Sequence, residues 1–517
     1  MQGPLCAFRD LRGVAPCDTS TNPQVVLGVC LDESQHSNLQ GRKAIVAAWR
    51  RLPHPRVGTR LVEIQRLHTW ALSVLTPVLG QASLDTRFFV DDGLWRKAPI
   101  LTGQSSCGPL PDVKNILVTG GEGFIASWLV RHLVIKYPEY NVISFDKLDY
   151  CSSLNNSRML ESRPNFQFFH GDVTSDKDVL WCLRKYDIDT VFHLAAHTHV
   201  DLSFGNSYNF TKTNVLGTHI LLESAIAVGT IKRFYHVSTD EVYGEVEEDA
   251  ADLTEQSSLW PTNPYAASKA AAEDYVTAYV KSFRLPAVIV RLNNVYGPHQ
   301  YPEKIIPKFI NLLQRKKPLW IHGDGQHTRR YLFAGDAADA FDTILHRGEI
   351  GQIYNVDSRD EVSNLDLAGK LLAAFHVKDT AGCIEHTRDR PFNDRRYAVD
   401  GTKLRQLGWK QSVSFEEGLA MTVDWYREFS SWWGAIDAIL SPFPVVNGDS
   451  ITAATLKADE AAAHSQTVPN GNGGLRGSEE AMVGANNEHV SLQSQGATDL
   501  DGQQAVGGRK RKAGQMA

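Results

Sequence analysis

An apolar run that ends in glycines and continues into a helix is the feature that most restricts the fold of this 517-residue chain. Residues 115–119 are typical of a buried strand, Gly120 and Gly123 follow, and an amphipathic segment begins at Phe124. Gly120 permits a tight turn, and Gly123 allows the backbone to approach a pyrophosphate group, which then lies on the helix N-terminus. The pattern predicts a dinucleotide-binding strand–turn–helix unit.

Strand-type and helix-type patterns alternate through the middle of the chain. Short apolar runs of the strand type recur at residues 116–118, 142–143, 191–192, 234–237 and 288–290. Helical patterns separate them, and such alternation is typical of a parallel sheet whose two faces are covered by helices. We therefore predict an α/β fold, a Rossmann-type doubly wound parallel sheet with a smaller C-terminal α/β substrate domain.

Shifts in composition divide the chain into four predicted segments. Residues 1–112 show weak periodicity and form an N-terminal extension without an assigned role, and a glycine and two prolines near its end indicate a linker. Residues 113–300 are predicted to form the Rossmann domain and residues 301–444 the substrate domain, with part of 335–356 packing back on the Rossmann domain. Residues 445–517 contain few large apolar side chains and are predicted to be a disordered tail.

Net charge and cysteine content exclude several classes of protein. With 53 basic and 59 acidic side chains the formal charge is −6, which argues against nucleic acid as a partner. The seven cysteines include no Cys-x-x-Cys pair, which disfavours a disulfide framework and a thiolate zinc site and favours a reducing, cytoplasmic location. No apolar stretch reaches the roughly 18 residues that a membrane-spanning helix needs, so we expect no association with membranes.

A carboxylate ends the second predicted strand. Asp146 follows Gly120 by 26 residues, a position from which an acidic side chain accepts hydrogen bonds from the adenosine ribose hydroxyls and repels a 2′-phosphate. The predicted cofactor is therefore NAD rather than NADP. Asp172 and Val173, after the third apolar segment, are expected to meet the adenine edge.

Two short motifs carry groups suited to acid–base chemistry. Tyr265 and Lys269 lie one helical turn apart at the start of a predicted helix, where an ammonium group lowers the pKa of a neighbouring phenol. Asp240 and Glu241 follow an apolar strand, at the edge of the sheet where α/β proteins bind ligands. Two carboxyl groups in different environments can divide into an acid and a base, and an elimination reaction needs both.

Six segments of the chain, in this order, resemble the nucleotide-sugar 4,6-dehydratases of the extended short-chain dehydrogenase/reductase family. They are Gly-Gly-x-Gly-Phe-Ile-Ala-Ser at 120–127, Asp-Lys-Leu-Asp-Tyr at 146–150, Thr-His-Val-Asp at 198–201, Ser-Thr-Asp-Glu-Val-Tyr-Gly at 238–244, Asn-Pro-Tyr-Ala-Ala-Ser-Lys at 263–269 and Asn-Val-Tyr-Gly-Pro at 294–298. Two later segments, 393–397 and 431–434, are most similar to the dehydratase half of plant rhamnose synthases, which acts on UDP-glucose. The dTDP-glucose enzymes are nearly as similar. The reductase/epimerase half of rhamnose synthase has no counterpart here, so the reaction is expected to stop at the keto sugar.

The resemblance implies a hydro-lyase that converts UDP-glucose or dTDP-glucose to the 4-keto-6-deoxyglucose nucleotide, the first step of a deoxysugar (rhamnose-type) pathway. Tyr265 takes the proton of the sugar 4-hydroxyl, with Lys269 tuning it and Thr239 hydrogen-bonding the same oxygen, while hydride passes from C4 to NAD. Glu241 then removes the C5 proton, Asp240 protonates the departing 6-hydroxyl, and the hydride returns to C6. The resemblance also implies a homodimer formed through the helix that carries Tyr265 and its neighbouring helix.

The resemblance extends the set of binding residues. The predicted cofactor-binding residues are Gly120, Gly123, Phe124, Ile125, Asp146, Lys147, Asp172, Val173, Leu194, Ala195, Ala196, Tyr265 and Lys269. The predicted substrate-binding residues are His199, Asn294, Lys304, Arg329, Asn355, Arg390 and Asn393. Arg329 and Arg390 are expected to clamp the diphosphate, because the guanidinium group matches phosphate oxygens. Trp320 and His322 lie near the predicted base pocket and leave the choice between uracil and thymine open.

Two other functional interpretations stay open at this point. A 4-epimerase or decarboxylase on the same scaffold keeps Tyr-x-x-x-Lys but does not need an Asp-Glu pair, and a non-catalytic NAD-binding regulator predicts the loss of a catalytic residue. His193, His197 and His199 lack the accompanying cysteine or carboxylate spacing of a zinc site. We assign them to sugar contact or packing and predict no metal.

Overall fold

The computed structural model describes residues 93–443, so residues 1–92 of the N-terminal extension and the predicted tail lie outside the described residues. The strands are β1 (Asn115–Thr119), β2 (Asn141–Asp146), β3 (Phe166–His170), β4 (Thr190–His193), β5 (Arg233–Thr239), β6 (Ala287–Leu292), β7 (Asn294–Tyr296), β8 (Leu319–His322), β9 (Thr328–Phe333), β10 (Ile353–Val356), β11 (Glu361–Ser363) and β12 (Ile384–Thr387). The α-helices are α1 (Leu94–Lys97), α2 (Phe124–Lys136), α3 (Asp176–Lys185), α4 (Val200–Gly205), α5 (Ser207–Phe210), α6 (Gly217–Val228), α7 (Pro264–Phe283), α8 (Ile305–Gln314), α9 (Ala334–Arg347), α10 (Asn364–Ala374), α11 (Thr402–Gln406) and α12 (Phe415–Glu428). Within residues 93–443, no helix combines the length and the apolar character needed to cross a membrane.

Seven of the strands form one parallel sheet in the order β10-β6-β5-β4-β1-β2-β3. The strand order reverses at β1, because β2 and β3 lie on one side of it and β4, β5 and β6 lie on the other. In open sheets of this kind, ligands bind at the point of reversal, beyond the carboxyl ends of the strands. The predicted doubly wound sheet is confirmed.

Both faces of this sheet are buried, because alternate residues of a strand point to opposite faces. Ile116 and Val118 belong to the core that includes residues of α2 and α9, whereas Leu117 between them belongs to the core that includes residues of α3, α6 and α7. This two-sided burial is the reason that the strands appear in the sequence as continuous apolar runs.

The other five strands form two small sheets. One contains β7, β9 and β11, and the other pairs β8 with β12. In contrast, β10 pairs with β6 and extends the main sheet, although it follows β8 and β9 in the chain. The boundary at residue 300 between a Rossmann and a substrate domain stays a prediction.

Residues 98–112, here called the strap, are anchored to α9. The Asp339 carboxylate accepts hydrogen bonds from the backbone N–H groups of Gln104 (3.1 Å) and Ser105 (2.8 Å) and from the Ser105 hydroxyl (2.6 Å). An ideal Cβ on Gly103 would lie 2.1 Å from an Asp339 oxygen, so the close approach requires glycine here. The residues that suggested a linker therefore belong to an anchored segment, whose partner lies more than 200 residues further along the chain.

Asp339→Ala is expected to lower the free energy of unfolding by about 2–3 kcal/mol, because it leaves part-buried N–H groups of the strap without their charged acceptor. Unfolding in urea measures the change. Glu428→Ala, at an exposed helix position, is the control and should change stability by less than about 0.5 kcal/mol. An Asp339→Ala protein as stable as the wild type would contradict the anchoring role.

Candidate active site

A cavity of about 410 Å³ lies beyond the carboxyl ends of the central strands. Its wall includes Gly120 after β1, Asp146 at the end of β2, Leu194 after β4 and Thr239 at the end of β5. Because all of these parallel strands end at the same edge, the fold brings together residues that are far apart in the sequence.

The glycine-rich turn after β1 has the shape that a dinucleotide pyrophosphate needs. Gly120 has a φ of 70°, and an ideal Cβ on it would lie 2.9 Å from the Cα of Ala195. Gly123 is the N-cap of α2, and no side chain of the described residues caps this helix. The first N–H groups of α2 are therefore available to an anion. The turn therefore fits the pyrophosphate of the dinucleotide that the sequence predicts.

Asp146 is placed to bind ribose hydroxyls. Its carboxylate accepts hydrogen bonds from the backbone N–H groups of Leu148 (2.7 Å) and Glu122 (3.1 Å), which fix its orientation. Burial raises the pKa of Asp146, and these two hydrogen bonds oppose the rise. A carboxylate can accept about four hydrogen bonds, so with these two and one from the Ser152 side chain Asp146 retains acceptor capacity for a ribose.

Most of the other predicted cofactor residues lie in the same wall. They are Phe124, Ile125, Lys147, Val173, Leu194, Ala195 and Ala196. Asp172 is not among these wall residues, and one of its carboxylate oxygens accepts hydrogen bonds from the N–H group (2.8 Å) and the hydroxyl (2.9 Å) of Thr174. These bonds stabilise the turn that follows β3, and the contact of Asp172 with the adenine edge stays a prediction.

Helix α7 places Tyr265 and Lys269 one turn apart in the wall, where both are buried. The Tyr265 hydroxyl is hydrogen-bonded to the side chain of Thr239. Burial and then the charge of Glu241 raise the pKa of Tyr265, and burial lowers the pKa of Lys269 to about 8. Desolvation of the phenolate dominates the pKa of Tyr265 in this arrangement, and the expectation that Lys269 brings this pKa toward neutrality stays a prediction.

The acidic pair follows β5 directly, and both side chains are buried. The Asp240 carboxyl group accepts hydrogen bonds from the Asn293 amide (2.6 Å) and the Thr239 hydroxyl (3.0 Å). Burial and then the charge of Glu241 raise the pKa of Asp240 to about 7. Burial also raises the pKa of Glu241, and the positive charge of Arg329 opposes this rise. Asp240 is therefore partly protonated at neutral pH beside a second carboxyl group, which suits the division into an acid and a base that an elimination needs.

The two acids differ in their access to the cavity. Glu241 is part of the wall, whereas Asp240 reaches the wall through its hydrogen bonds with Thr239 and Asn293, which both line it. Asn263 orients Glu241, because its amide group donates a hydrogen bond of 3.1 Å to the Glu241 carboxylate. The same asparagine caps α7, which links the position of Glu241 to the start of that helix.

The predicted substrate residues separate into two groups. His199, Asn294, Lys304, Arg329, Arg390 and Asn393 line the cavity. Asn355 lies outside the wall and is fully buried. Its amide group accepts a hydrogen bond from the Tyr243 hydroxyl (2.9 Å) and donates to the Leu253 carbonyl (3.2 Å). The structure therefore corrects the assignment of Asn355, whose polar groups hold the surrounding chain in place.

Several wall residues were not predicted from the sequence. Asn263 and Asn293 bind the two acids, and Tyr397 is hydrogen-bonded to Asp394 and, at 3.5 Å, to Glu241. Signals for these residues were present in the sequence. Asn263 precedes the Pro-Tyr start of a helix, which is typical of an N-cap, and Tyr397 closes the segment 393–397.

The three neighbouring histidines differ in their surroundings. The two ring nitrogens of His193 are hydrogen-bonded to the hydroxyl groups of Thr119 (2.8 Å) and Thr218 (2.9 Å), so this side chain is a packed and satisfied part of the core. His197 and His199 line the cavity. Burial lowers the pKa of His197 and of His199.

One group of possible metal ligands occurs within residues 93–443, and it is not part of the cavity wall. It consists of Cys107 on the strap and Asp342 and His346 on α9. Asp342 already accepts hydrogen bonds from the hydroxyl groups of Tyr137 (2.7 Å) and Ser105 (2.9 Å). These bonds account for a buried carboxylate at this position.

The chain matches the model of the GDP-mannose 4,6 dehydratase family over residues 117–422, and it belongs to this family. It is 52% identical over 332 residues to the Arabidopsis thaliana trifunctional UDP-glucose 4,6-dehydratase/UDP-4-keto-6-deoxy-D-glucose 3,5-epimerase/UDP-4-keto-L-rhamnose-reductase RHM2. The aligned region covers 64% of this chain and 50% of that protein. The chain thus spans about half the length of this relative. This chain is also 46% identical over 336 residues to the dTDP-D-glucose 4,6-dehydratase of Mus musculus. That alignment covers 64% of this chain and 94% of the mouse protein.

Solved structures agree with the fold. The dTDP-glucose 4,6-dehydratase DesIV of Streptomyces venezuelae, solved with NAD bound, is 40% identical, has a TM-score of 0.59 and covers 62% of this chain and 99% of its own. The UDP-glucose 4-epimerase of Thermotoga maritima is 29% identical and has a TM-score of 0.56. Its match covers 61% of this chain and 99% of the epimerase chain. The resemblance stated from the sequence is confirmed, and the scaffold is shared with enzymes of a second reaction type.

Proposed function

We propose that this chain is an NDP-glucose 4,6-dehydratase, a hydro-lyase that converts UDP-glucose or dTDP-glucose to the 4-keto-6-deoxyglucose nucleotide and so begins a deoxysugar pathway of the rhamnose type. The observation that carries the proposal is the buried pair Asp240 and Glu241 beside Tyr265 at the carboxyl edge of the sheet. The naming of the relatives as UDP-glucose and dTDP-glucose 4,6-dehydratases supports it.

The cofactor of the proposal is NAD. The Gly120–Gly123 turn would hold its pyrophosphate and Asp146 its adenosine ribose, and DesIV was solved with this cofactor. When bound, NAD accepts hydride from the sugar C4, returns it to C6 and adds a positive charge to that of Lys269. The remaining chemistry belongs to side chains of the chain itself.

Tyr265 and Thr239 act on the sugar 4-hydroxyl. The two side chains are hydrogen-bonded to each other, so one substrate oxygen can contact both. Since burial keeps Tyr265 protonated in the absence of added positive charge, the proton of the 4-hydroxyl passes to Tyr265 only where Lys269 and the cofactor stabilise the phenolate. Lys269 is thus the group that tunes the base.

Glu241 and Asp240 carry out the elimination. The ketone formed at C4 acidifies the C5 proton, which Glu241 removes from the cavity side. Asp240 in its protonated form, which the raised pKa of about 7 makes available at neutral pH, supplies a proton to the departing 6-hydroxyl. This step requires its carboxyl group either to rotate into the cavity or to pass the proton through the Thr239 hydroxyl, to which it is hydrogen-bonded.

The alternative functions place different demands on this site. A 4-epimerase needs Tyr265, Lys269 and NAD but no buried acid beside Glu241, although the Thermotoga maritima 4-epimerase shares the fold. A non-catalytic regulator has no need for an acid whose pKa is raised to about 7. The acidic pair therefore favours the dehydratase.

Incubation of the purified protein with UDP-glucose and dTDP-glucose in separate reactions tests the proposal. The expected product is the 4-keto-6-deoxy sugar from at least one nucleotide, and the ratio of the two kcat/KM values gives the base preference. Unchanged substrate would contradict the dehydratase, and a galactose nucleotide as product would favour the 4-epimerase.

A homodimer is part of the proposal, with α6 and α7 as the contact surface. Large apolar side chains on these helices are exposed, among them Ile226 on α6 and Tyr275 and Phe283 on α7. Sedimentation should give a dimer for the wild type and a monomer for Tyr275→Glu, because a charge would be buried at the interface. Met421→Glu, on exposed apolar surface of α12, should remain a dimer. A monomeric wild type at working concentration would reject the dimer.

A cytoplasmic location also belongs to the proposal. Cys107, Cys151, Cys182 and Cys383 are free, which is typical of proteins in a reducing compartment.

A further inference from the structure

The cations on the substrate side of the cavity are mostly engaged by the chain itself. Arg390 forms an ion pair with Asp201, with 2.5 Å between Nε and a carboxylate oxygen. Lys304 donates a hydrogen bond of 2.5 Å to the carbonyl of Thr198. Asp201 would also repel a phosphate brought to Arg390, so this arginine offers less positive charge than the sequence suggests.

Arg329 is held in a similar way. Its guanidinium group donates hydrogen bonds to the backbone carbonyls of Thr328 (2.7 Å) and Asp394 (2.9 Å) and packs over the ring of Tyr397 at 4.5 Å. It is also the cation whose charge opposes the raised pKa of Glu241. The positive charge of Arg329 therefore acts on the Glu241 carboxylate, and N–H groups of its guanidinium group are used by backbone carbonyls.

Lys308 differs from these three cations. It lies in the first turn of α8, is half-buried and lines the cavity. Among residues 93–443, no hydrogen bond or ion pair engages its ammonium group, although Asp201, Arg390 and Glu303 lie close enough to act on it electrostatically. Burial lowers the pKa of Lys308 to about 8, so the ammonium group is still mostly charged at neutral pH.

Lys308 shares the cavity wall with His322, at the predicted base pocket, and with His199, one of the predicted substrate-binding residues. His322, at the predicted base pocket, is acted on by Lys308, Arg390 and Asp201 together. Arg390 also acts electrostatically on His199. The group that joins a base-bearing ribose to a hexose is a diphosphate with two negative charges, and Lys308 brings to this wall an ammonium group that no hydrogen bond or ion pair engages among residues 93–443. The positive end of the α8 macrodipole has the same sign.

We propose that Lys308 binds the diphosphate of the nucleotide sugar and supplies positive charge there, because the charge of Arg390 is neutralised by its ion pair with Asp201. The proposal rests on the proposed function for the identity of the substrate. Lys308 takes no part in the proton transfers assigned to Glu241 and Asp240 and only holds the substrate in place. Replacing its side chain should therefore weaken substrate binding and leave the chemical step intact.

Lys308→Met and Lys308→Arg in the full-length protein loaded with NAD test the proposal, with Lys317→Met at an exposed position as the control. For Lys308→Met we expect KM for the glucose nucleotide and Kd for UDP, measured by calorimetry, to rise about 10- to 100-fold, while kcat changes by less than about threefold. Lys308→Arg should keep both constants within about fivefold of the wild type, because the charge is retained. Thermal unfolding establishes that the variants are folded.

Unchanged KM and unchanged UDP affinity in a folded Lys308→Met protein would overturn the proposal, and so would a loss confined to kcat. The result is separable from the fate of the proposed function. If the wild type converts neither nucleotide, the dehydratase is rejected, and the affinities of wild type and Lys308→Met for UDP and dTDP still decide whether Lys308 binds a nucleoside diphosphate.

Discussion

Replacing Glu241 with glutamine is expected to lower kcat by about 10²- to 10⁴-fold, the range usually lost when a general base is removed. The glutamine amide keeps the volume of the side chain and can still contact Asn263, which binds the Glu241 carboxylate at 3.1 Å. It cannot accept the C5 proton. Steady-state rates with UDP-glucose and dTDP-glucose measure the loss, and the NAD content of the purified protein should be unchanged.

Glu248→Gln is the matched control for this variant. Glu248 is an exposed acid in the same acidic stretch, seven residues after Glu241. If the acidic residues act only as a solvated loop, the two variants should behave alike. Full activity in Glu241→Gln would remove the proposed base from the mechanism.

Asp240→Asn is expected to lower kcat by about 10²- to 10⁴-fold as well, but for a different reason. Asparagine preserves the shape at the Asn293 contact of 2.6 Å and has no acidic proton for the departing 6-hydroxyl. A substrate with fluorine in place of the 6-hydroxyl has a leaving group that needs less protonation. The 6-fluoro nucleotide should therefore restore much of the rate of Asp240→Asn and little of the rate of Glu241→Gln. Equal rescue of both variants would contradict the division into acid and base.

The pKa of Asp240 adds a pH test to the same comparison. Burial raises this pKa to about 7, so the acid is protonated below that pH and loses its proton as the pH rises through it. Turnover of the 6-hydroxy substrate by the wild type should fall on the alkaline side of pH 7, and turnover of the 6-fluoro substrate should fall less. The two pH profiles in one buffer series provide the measurement.

The parts of the molecule predicted from the sequence are those fixed by local pattern. The Gly120–Gly123 turn, the strand that precedes it and Tyr265 with Lys269 on one helical face all depend on spacing within a few residues, and the structure places them together. The carboxyl ends of parallel strands then gather them at one edge, because the βαβ topology leaves few alternatives.

The parts that the sequence did not predict depend on contacts between distant segments. Asn355 follows the rule for a strand-end ligand residue, yet its amide is consumed by Tyr243 and by backbone carbonyls. The strap is anchored by Asp339, a partner that no local pattern reveals. The direction of the Tyr265 pKa depends on burial, which appears only once the helices are packed.

The fate of a label at C4 tests the central claim most directly, since the proposed reaction moves the hydrogen of C4 to C6 within one substrate molecule. The purified protein is given UDP-glucose or dTDP-glucose that carries deuterium at C4, and the product is examined by mass spectrometry and NMR. We predict a 4-keto-6-deoxy sugar with the deuterium at C6. Deuterium that stays at C4, or a product without deuterium at C6, would contradict the proposed reaction.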